Sequence, residues 1–120
     1  FKVINDNFGH KAGDRTLSLV AQLILNNCRE SDFIARFGGE EFVIIMPNSD
    51  LKQIAAPLEK IRKTIKAIPF KFKSKNLRIT ISLGASQFKV NDSILEVFDR
   101  ADAALYEAKN SGRDRIIFKK

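Results

Sequence analysis

Hydrophobic residues recur along the chain in blocks, some at helical spacing and some in strict alternation. One block has apolar residues every three or four positions with polar residues between them, which predicts an amphipathic helix over Ala12–Asn27. A shorter helix is expected over Phe1–Phe8, with Gly9 as its stop. The apolar positions of the longer helix are Leu17, Val20, Ala21 and Ile24.

Two further helices are indicated by apolar stripes that follow N-terminal capping patterns. Asp50 with Gln53 and Ser93 with Glu96 match the capping box. Pro57 lies deep in the first of these helices, so either the helix kinks there or its regular part begins just before it. The expected buried stripes are Leu51, Ile54, Ala55, Leu58, Ile61, Ile65 and Ile68, and then Ile94, Val97, Phe98, Ala101, Leu105 and Ala108.

Two β-rich segments, Asp32–Phe37 and Glu41–Met46, flank the pair Gly38 and Gly39. Strands joined through glycine are a strong hairpin signal. Apolar and polar residues then alternate over Leu77–Leu83, which predicts a half-buried strand.

The alternating strand is expected to pair with Phe70–Lys73 across a turn at Ser74–Asn76. Gly112 ends the last helix, and Arg115–Phe118 forms a final strand. The pattern as a whole predicts a mixed α and β domain.

The amino-acid composition limits the kinds of site that the chain can form. The 120 residues suffice for one domain, residues 1–120, and the longest apolar run, Phe42–Pro47, is too short for a membrane helix. Cys28 and His10 are the only residues of their types, which excludes an internal disulfide and a Cys/His zinc site. Any bound metal must therefore be held by oxygen ligands, as Mg²⁺ is.

The net charge of +7 is concentrated in one stretch without acidic residues. Such a stretch either attracts nucleotides or nucleic acid or forms a solvated helix face and a lysine-bearing edge strand. The solvated face is the preferred interpretation. The basic residues are Lys60, Arg62, Lys63, Lys66, Lys71, Lys73, Lys75 and Arg78.

The glycine pair offers a cradle for an anion. The common phosphate-binding loops are absent from the sequence, but Gly38 and Gly39 allow backbone N–H groups to approach a phosphate closely. Glu40 and Glu41 follow, and because adjacent strand residues point to opposite faces, only one of them is expected to point into a site. The alternative is a solvated turn.

The segment Arg36–Phe42 resembles the signature of GGDEF domains, the diguanylate cyclases, with Glu at the third position. Further blocks resemble the family's other motifs in the same order, so the resemblance covers essentially the whole chain. These blocks are Phe1–Asp6, Gly9–Asp14, Ser82–Gly84 and Ala101–Arg113.

The resemblance implies an α+β fold with a ferredoxin-like, nucleotide-cyclase-type core, in which helices flank a mainly antiparallel sheet. It implies an enzyme that condenses two GTP molecules into cyclic di-GMP with release of pyrophosphate. Mg²⁺, with Mn²⁺ as an alternative, is the implied cofactor. Because each domain would hold one GTP, a twofold homodimer is expected for catalysis.

The family's roles carry over to matching positions of this chain. Asn5 and Asp14 would bind the guanine edge with Leu17 packed near the base, and Lys2, Lys109 and Arg113 would hold phosphates. Gly38 and Gly39 would let the backbone reach the triphosphate. Glu40 would bind the metal and help to deprotonate the attacking 3′-hydroxyl, and Glu41 would support the metal and phosphate site.

Arg29 and Asp32 match the Arg-x-x-Asp site at which the family binds its own product, and Lys60 falls where some members carry a further arginine. The alternative is an exposed ion pair of Arg29 with Asp32, worth roughly 0–1 kcal/mol. The other function that remains open is a catalytically inactive GGDEF-like receptor for cyclic di-GMP. A basic RNA-binding domain is a distant third, since no stacking motif lies on the strands.

The chain departs from the family's pattern in two places. The family's first strand, with a metal-binding Asp, would precede Phe1, so the chain is expected to be an N-terminally truncated piece of a bacterial cytoplasmic protein. Its parent is expected to carry an upstream sensory or dimerisation domain, with or without a membrane anchor, while this domain itself contacts neither membrane nor nucleic acid. Asp114 replaces the Asn that usually follows Gly-Arg.

Overall fold

The computed structural model describes residues 10–37, 41–72 and 75–120. The predicted helix over Phe1–Phe8 and its stop at Gly9 lie outside these residues. Helices and strands alternate irregularly along the described part of the chain. They are α1 (His10–Asn26), β1 (Phe33–Arg36), β2 (Phe42–Ile45), α2 (Leu51–Ala67), β3 (Phe70–Phe72), β4 (Lys75–Leu77), β5 (Leu83–Ser86), α3 (Ile94–Asn110) and β6 (Ile116–Lys119).

The predicted N-terminal caps are present. Asp50 accepts a hydrogen bond from the Gln53 backbone N–H at 2.8 Å, and the Gln53 side chain accepts one from the Asp50 N–H, which completes the capping box. The Ser93 hydroxyl caps α3 by accepting from the Glu96 N–H at 3.1 Å. Pro57 lies inside a helix that runs unbroken from Leu51, so the helix does not begin at the proline.

The described strands form three pairs. β1 pairs with β2 and β3 with β4, both antiparallel, whereas β5 and β6 run parallel. The prediction of one strand over Leu77–Leu83 is wrong, because β4 ends at Leu77 and β5 begins at Leu83. The turn predicted at Ser74–Asn76 is also wrong, since Lys75 and Asn76 already belong to β4.

The main core lies between the first two helices and the strands. α1 packs against α2, and the α2 stripe buries Ile54, Leu58, Ile61 and Ile65 as predicted. The core is completed by Val20, Ile24, Phe70, Ile79 and Ala85.

Helix α3 packs on β5 and β6 through small residues. Val97, Ala104 and Ala108 are its buried positions. The prediction that Ile94 is buried is wrong, because its side chain is 78% exposed in the first turn of the helix. Ala104, absent from the predicted stripe, is fully buried because small side chains let this helix approach the sheet closely.

The closest approach is at Gly84 in β5. A Cβ atom at this position would lie 2.2 Å from the Leu105 backbone nitrogen and 2.3 Å from the Ala101 carbonyl oxygen. Because real Cβ atoms do not approach backbone atoms so closely, only glycine fits at this position. The position of α3, which carries the predicted Lys109, therefore depends on Gly84.

Candidate active site

The β1–β2 hairpin holds its two strands together up to the glycine loop. Arg36 pairs with Phe42, and one step further the Phe37 N–H donates to the Glu41 carbonyl oxygen at 2.7 Å. The predicted Gly38, Gly39 and Glu40 stand between these residues in the sequence and lie outside the described part of the chain. Glu41, directly after the loop, presents a carboxylate that is 45% exposed.

Helix α3 brings a cation to this carboxylate. Lys109 Nζ lies 3.7 Å from Glu41 Oε1, and the rings of Phe37 and Phe98 pack with their centroids 5.2 Å apart. An ion pair this exposed contributes roughly 0–1 kcal/mol, so its significance lies in its position. The structure therefore joins two predicted site residues, Lys109 and Glu41, beside the glycine loop.

The chain leaves α3 through a left-handed turn. Gly112, Arg113 and Asp114 have φ values of +117°, +62° and +48°, and the Arg113 N–H donates to the Ala108 carbonyl oxygen at 2.9 Å. Glycine adopts this conformation freely, but a non-glycine residue is destabilised by roughly 1–2 kcal/mol. The turn is therefore strained at Arg113, whereas Asp114 tolerates this conformation better, and the turn must be held by other contacts.

Asp114 supplies those contacts through its carboxylate. Oδ1 accepts from Arg62 Nη1 at 2.6 Å and Oδ2 accepts from Lys66 Nζ at 2.5 Å. Glu59 pairs with the same arginine from the preceding turn of α2. The hydrogen bond from Lys66 holds the pKa of the Asp114 carboxyl below its ordinary value, so the carboxylate stays charged at neutral pH.

The predicted guanine-binding residues are only partly described. Asp14 is exposed on α1, whereas Leu17 faces the core with 6% of its surface exposed. Asn5, the other predicted guanine ligand, lies outside the described residues, as does Lys2, a predicted phosphate ligand. Of this group, the structure therefore describes only Asp14 and Leu17, three residues apart on α1.

Arg29 and Asp32 form a compact cluster before β1. The Asp32 carboxylate, 1% exposed, accepts from the Arg29 backbone N–H at 2.8 Å and from its Nε and Nη2 at 3.2 and 3.0 Å. Nη2 also donates to the Pro47 carbonyl and to the Ser49 hydroxyl. Burial raises the pKa of Asp32, but the hydrogen bonds from Arg29 outweigh it and hold the pKa below its ordinary value.

A cavity of about 190 Å³ opens beside this cluster. The side chain of Arg29 is half exposed and lines this cavity. Lys60, the third predicted residue, is exposed on α2 and does not line the cavity. The cavity is lined by Arg29, Asp32, Asn27, Met46, Ser49, Gln53, Ile54 and Pro57.

Cys28, immediately before Arg29, packs at the edge of the core. Burial raises the pKa of its thiol, and the negative charge of Asp32 raises it further. A thiol in this environment is protonated and slow to react at neutral pH.

Comparison with known proteins resolves the family. A family model described as the diguanylate cyclase GGDEF domain matches residues 1–115. The chain belongs to the GGDEF family. Diguanylate cyclase DgcP of Pseudomonas aeruginosa is 50% identical over 116 residues, which are 97% of this chain and 17% of DgcP.

Solved GGDEF structures share the fold. Diguanylate cyclase SiaD of Pseudomonas aeruginosa, solved with its activator SiaC, superposes with a TM-score of 0.95 at 35% identity over 98% of this chain and 45% of SiaD. The GGDEF domain of DgcB from Caulobacter crescentus, solved with c-di-GMP, gives 0.93 at 38% identity over 98% of this chain and 70% of DgcB. The predicted α+β, nucleotide-cyclase-type fold is confirmed.

Two features are absent from the described residues of this GGDEF domain. Among them, no three acidic, histidine or cysteine side chains come together as a metal site. In that same part of the chain, no helix has the length and hydropathy that crossing a membrane requires.

Sequence reasoning missed the contacts of Arg62 and Lys66 with Asp114. Both cations belong to the basic stretch whose preferred interpretation was a solvated face, yet both pair with a carboxylate about fifty positions away. The sequence contained one indication of these contacts, because Asp114 adds a negative charge where the GGDEF family usually has Asn. The spacing of the cations by four residues also places them on one face of a helix.

Proposed function

We propose that the chain is a GGDEF catalytic domain that joins two GTP molecules into cyclic di-GMP and releases two pyrophosphates. The observation that carries the proposal is the position of Lys109 beside Glu41, at the end of the glycine loop. A triphosphate held by the loop's backbone N–H groups would lie between a lysine and carboxylates, the residue types that phosphoryl-type transfer uses. The named activities of the relatives support the same reaction.

Different residues would bind the base and the phosphates of the nucleotide. Asn5 and the exposed Asp14 would accept and donate hydrogen bonds at the guanine edge, which selects against adenine because its donors and acceptors are exchanged. Leu17 would pack near the base through the small part of its side chain that remains exposed. Lys2 and Lys109 would neutralise phosphate charge.

Arg113 is the remaining phosphate ligand of the proposal. Its side chain is exposed on the left-handed turn after α3, one turn beyond Lys109. The planar guanidinium binds phosphate oxygens with two parallel hydrogen bonds. Arg113 would therefore fix the orientation of the triphosphate that Lys109 attracts.

The donor set of the site fits a hard divalent cation. Glu41 offers an exposed carboxylate at the loop, Glu40 supplies the adjacent one in sequence, and Mg²⁺ needs only one or two carboxylates because it also binds waters and substrate phosphates. Glu40 would hold Mg²⁺ or Mn²⁺, supported by Glu41. When bound, the cation would neutralise charge on the reacting phosphate. Glu40 would also accept the proton of the attacking 3′-hydroxyl.

Two copies of the domain are needed for one product. Each copy would bind one GTP, so the two sites must face one another across a twofold axis. Turnover should therefore rise more than linearly with domain concentration. We place the parent protein in the bacterial cytoplasm, with an upstream sensory or dimerisation domain that raises the local concentration.

The cavity beside Arg29 and Asp32 supports feedback by the product. A half-exposed arginine side chain held in place by a buried carboxylate is suited to charge-assisted hydrogen bonds with guanine or phosphate. Lys60 would make a looser second contact through its point charge. The same cavity supports the second candidate function, a receptor that binds cyclic di-GMP without making it.

The test of synthesis is chromatographic detection of cyclic di-GMP after incubation of the concentrated chain with GTP and Mg²⁺. Glu40→Ala serves as the inactive variant, and Arg78→Ala, which changes an exposed arginine that donates to the Ala67 carbonyl, serves as the control. Product from the parent and from Arg78→Ala, and none from Glu40→Ala, supports the cyclase. No product from a folded parent sample, at any concentration, contradicts synthesis by this chain.

The receptor function has its own measurement. Calorimetric titration with cyclic di-GMP should show binding to the parent and to Arg78→Ala, and at least tenfold weaker binding to Arg29→Ala, the scale of losing charge-assisted hydrogen bonds. Binding without synthesis identifies a receptor. Equal affinities of parent and Arg29→Ala would rule out the cavity as the product site.

A further inference from the structure

The left-handed turn at residues 112–114 carries a proposed phosphate ligand but is not stable by its own conformational preference. Arg113 and Asp114 both have positive φ values, in a region that non-glycine residues rarely adopt. Such strain persists only where surrounding contacts impose it, and it concentrates at functional sites. The contacts at this turn therefore determine where Arg113 points.

Those contacts come from helix α2. Arg62 and Lys66, four residues apart on one helix face, each bind one oxygen of Asp114, at 2.6 and 2.5 Å. Arg62 is itself held by Glu59 and is only 15% exposed, so the anchor is rigid. Arg115 Nε donates to the Arg113 carbonyl oxygen at 3.0 Å and fastens the turn from the other side.

The guanidinium of Arg113 is the exception in this cluster. Arg62 and Lys66 are paired with carboxylates, and Arg115 donates to a carbonyl. Within the described residues, the Arg113 side chain makes no hydrogen bond or ion pair, and it is exposed. The turn thus holds the backbone of Arg113 firmly while leaving its side chain available.

We propose that Asp114 is a positioning residue that, clamped by Arg62 and Lys66, holds Arg113 in the orientation that receives the GTP phosphates. This inference rests on the proposed function, because Arg113 binds phosphate only if the site takes GTP. Asp114 makes no contact with the nucleotide. It links α2 to the substrate site through the turn.

Charge and position predict opposite results for Asp114→Ala. Removing a carboxylate makes the surroundings more positive, which by attraction alone strengthens GTP binding. Loss of the contacts with Arg62 and Lys66 releases the turn and displaces Arg113, which weakens GTP binding. Asp114→Asn removes the same charge but keeps an oxygen acceptor for Arg62 and a residue that tolerates positive φ, so it is the matched control.

The experiment is calorimetric titration of the chain with GTP in EDTA, where binding is measured without turnover. We expect about tenfold weaker binding for Asp114→Ala, the scale of one lost charge-assisted contact, and a change within about twofold for Asp114→Asn. Asp92→Ala, which breaks the ion pair with Arg100 near the other end of α3, should leave GTP affinity unchanged. In the synthesis assay, KM should rise for Asp114→Ala while kcat changes little.

The outcomes separate this inference from the proposed function. GTP binding by the parent that Asp114→Ala retains or strengthens overturns the positioning role and leaves the cyclase site intact. Equal weakening by Asp114→Ala and Asp114→Asn overturns it as well, because the oxygen acceptor and the tolerance of positive φ that asparagine keeps would then make no difference to GTP binding. No GTP binding by the folded parent refutes the substrate site and the positioning role together. Circular dichroism confirms folding, and Asp114→Ser replaces Asp114→Ala if the alanine variant is unfolded.

Discussion

Replacing Gly84 by alanine tests how closely α3 lies on the sheet. The added Cβ would meet the Leu105 nitrogen at 2.2 Å, the Ala101 carbonyl oxygen at 2.3 Å and the Leu105 Cα at 2.8 Å. Since ordinary contacts begin near 3.5 Å, the helix and the strand would have to separate by roughly 1 Å. All three atoms belong to the helix backbone, so no side-chain rotation relieves the clash.

The expected cost follows from this geometry. Overpacking destabilises a core by about 1–3 kcal/mol, and a clash against backbone belongs at the upper end, near 3 kcal/mol. For a domain of this size, that lowers the melting temperature by roughly 10–15 °C. Urea titration and thermal unfolding, both followed by far-ultraviolet circular dichroism, measure the two quantities.

Gly112→Ala is the comparison for this prediction. Its Cβ would meet Arg115 Nη2 at 2.7 Å, but that atom is the end of a flexible side chain and can move. The remaining cost is the positive φ, about 1–2 kcal/mol, so Gly84→Ala should be the less stable variant. If there were no clash, alanine at position 84 would raise the unfolding free energy by about 0.4–1 kcal/mol, because alanine restricts the unfolded chain more than glycine does. An unfolding free energy at or above the parent's would therefore refute the close approach.

Three further changes test the helices and the Arg29 cluster. Pro57→Ala restores a helix-interior N–H and should raise the unfolding free energy by up to about 3 kcal/mol in urea titration, the cost of an interior proline. Asp50→Ala removes the acceptor for the Gln53 N–H and should lower it by about 1 kcal/mol in the same titration. The pKa of Asp32 is lower in the folded state than in the unfolded state. The ionised carboxylate therefore stabilises the fold at neutral pH, and this stabilisation is lost as the pH falls below about 4. Asp32→Asn should therefore be less stable than the parent at pH 7 and lose less stability on acidification to pH 3.

Each of these results has a contrary outcome. A Pro57→Ala variant no more stable than the parent would show that neighbouring contacts already offset the proline. An unchanged free energy for Asp50→Ala would contradict the capping role. Parallel pH profiles for the parent and Asp32→Asn would contradict a depressed pKa for this carboxyl.

The three helices of the described residues and the first hairpin could be predicted because their signals are local. Caps such as Asp50 act within one turn, and the glycine pair joins strands that are adjacent in sequence. The alternation over Leu77–Leu83 correctly predicted that Ile79 is buried. Alternation predicts which side chains face the core, but it does not predict which neighbouring segment the backbone hydrogen-bonds to. A strand requires that partner, and between β4 and β5 the described residues pair with none.

The family motif named candidate site residues but not the contacts between them. The motif predicted that Lys109 and Glu41 belong to one site, and the structure shows their side chains 3.7 Å apart. It could not show that Arg62 and Lys66 hold Asp114, because ion pairs between distant segments depend on how the helices pack. The burial of Ala104 in place of Ile94 has the same origin, since a close helix–strand contact selects small side chains.

Cys28 gives the domain a built-in chemical reporter. It is the only thiol in the sequence, and its pKa responds to burial and to the charge of Asp32 beside it. An alkylating reagent such as iodoacetamide would therefore modify one defined position, at a rate set by the thiolate fraction. A ligand that neutralises Asp32 would accelerate this alkylation, and one that covers the thiol would slow it. The kinetics of a single covalent reaction thus register occupancy of the neighbouring cavity without an engineered label.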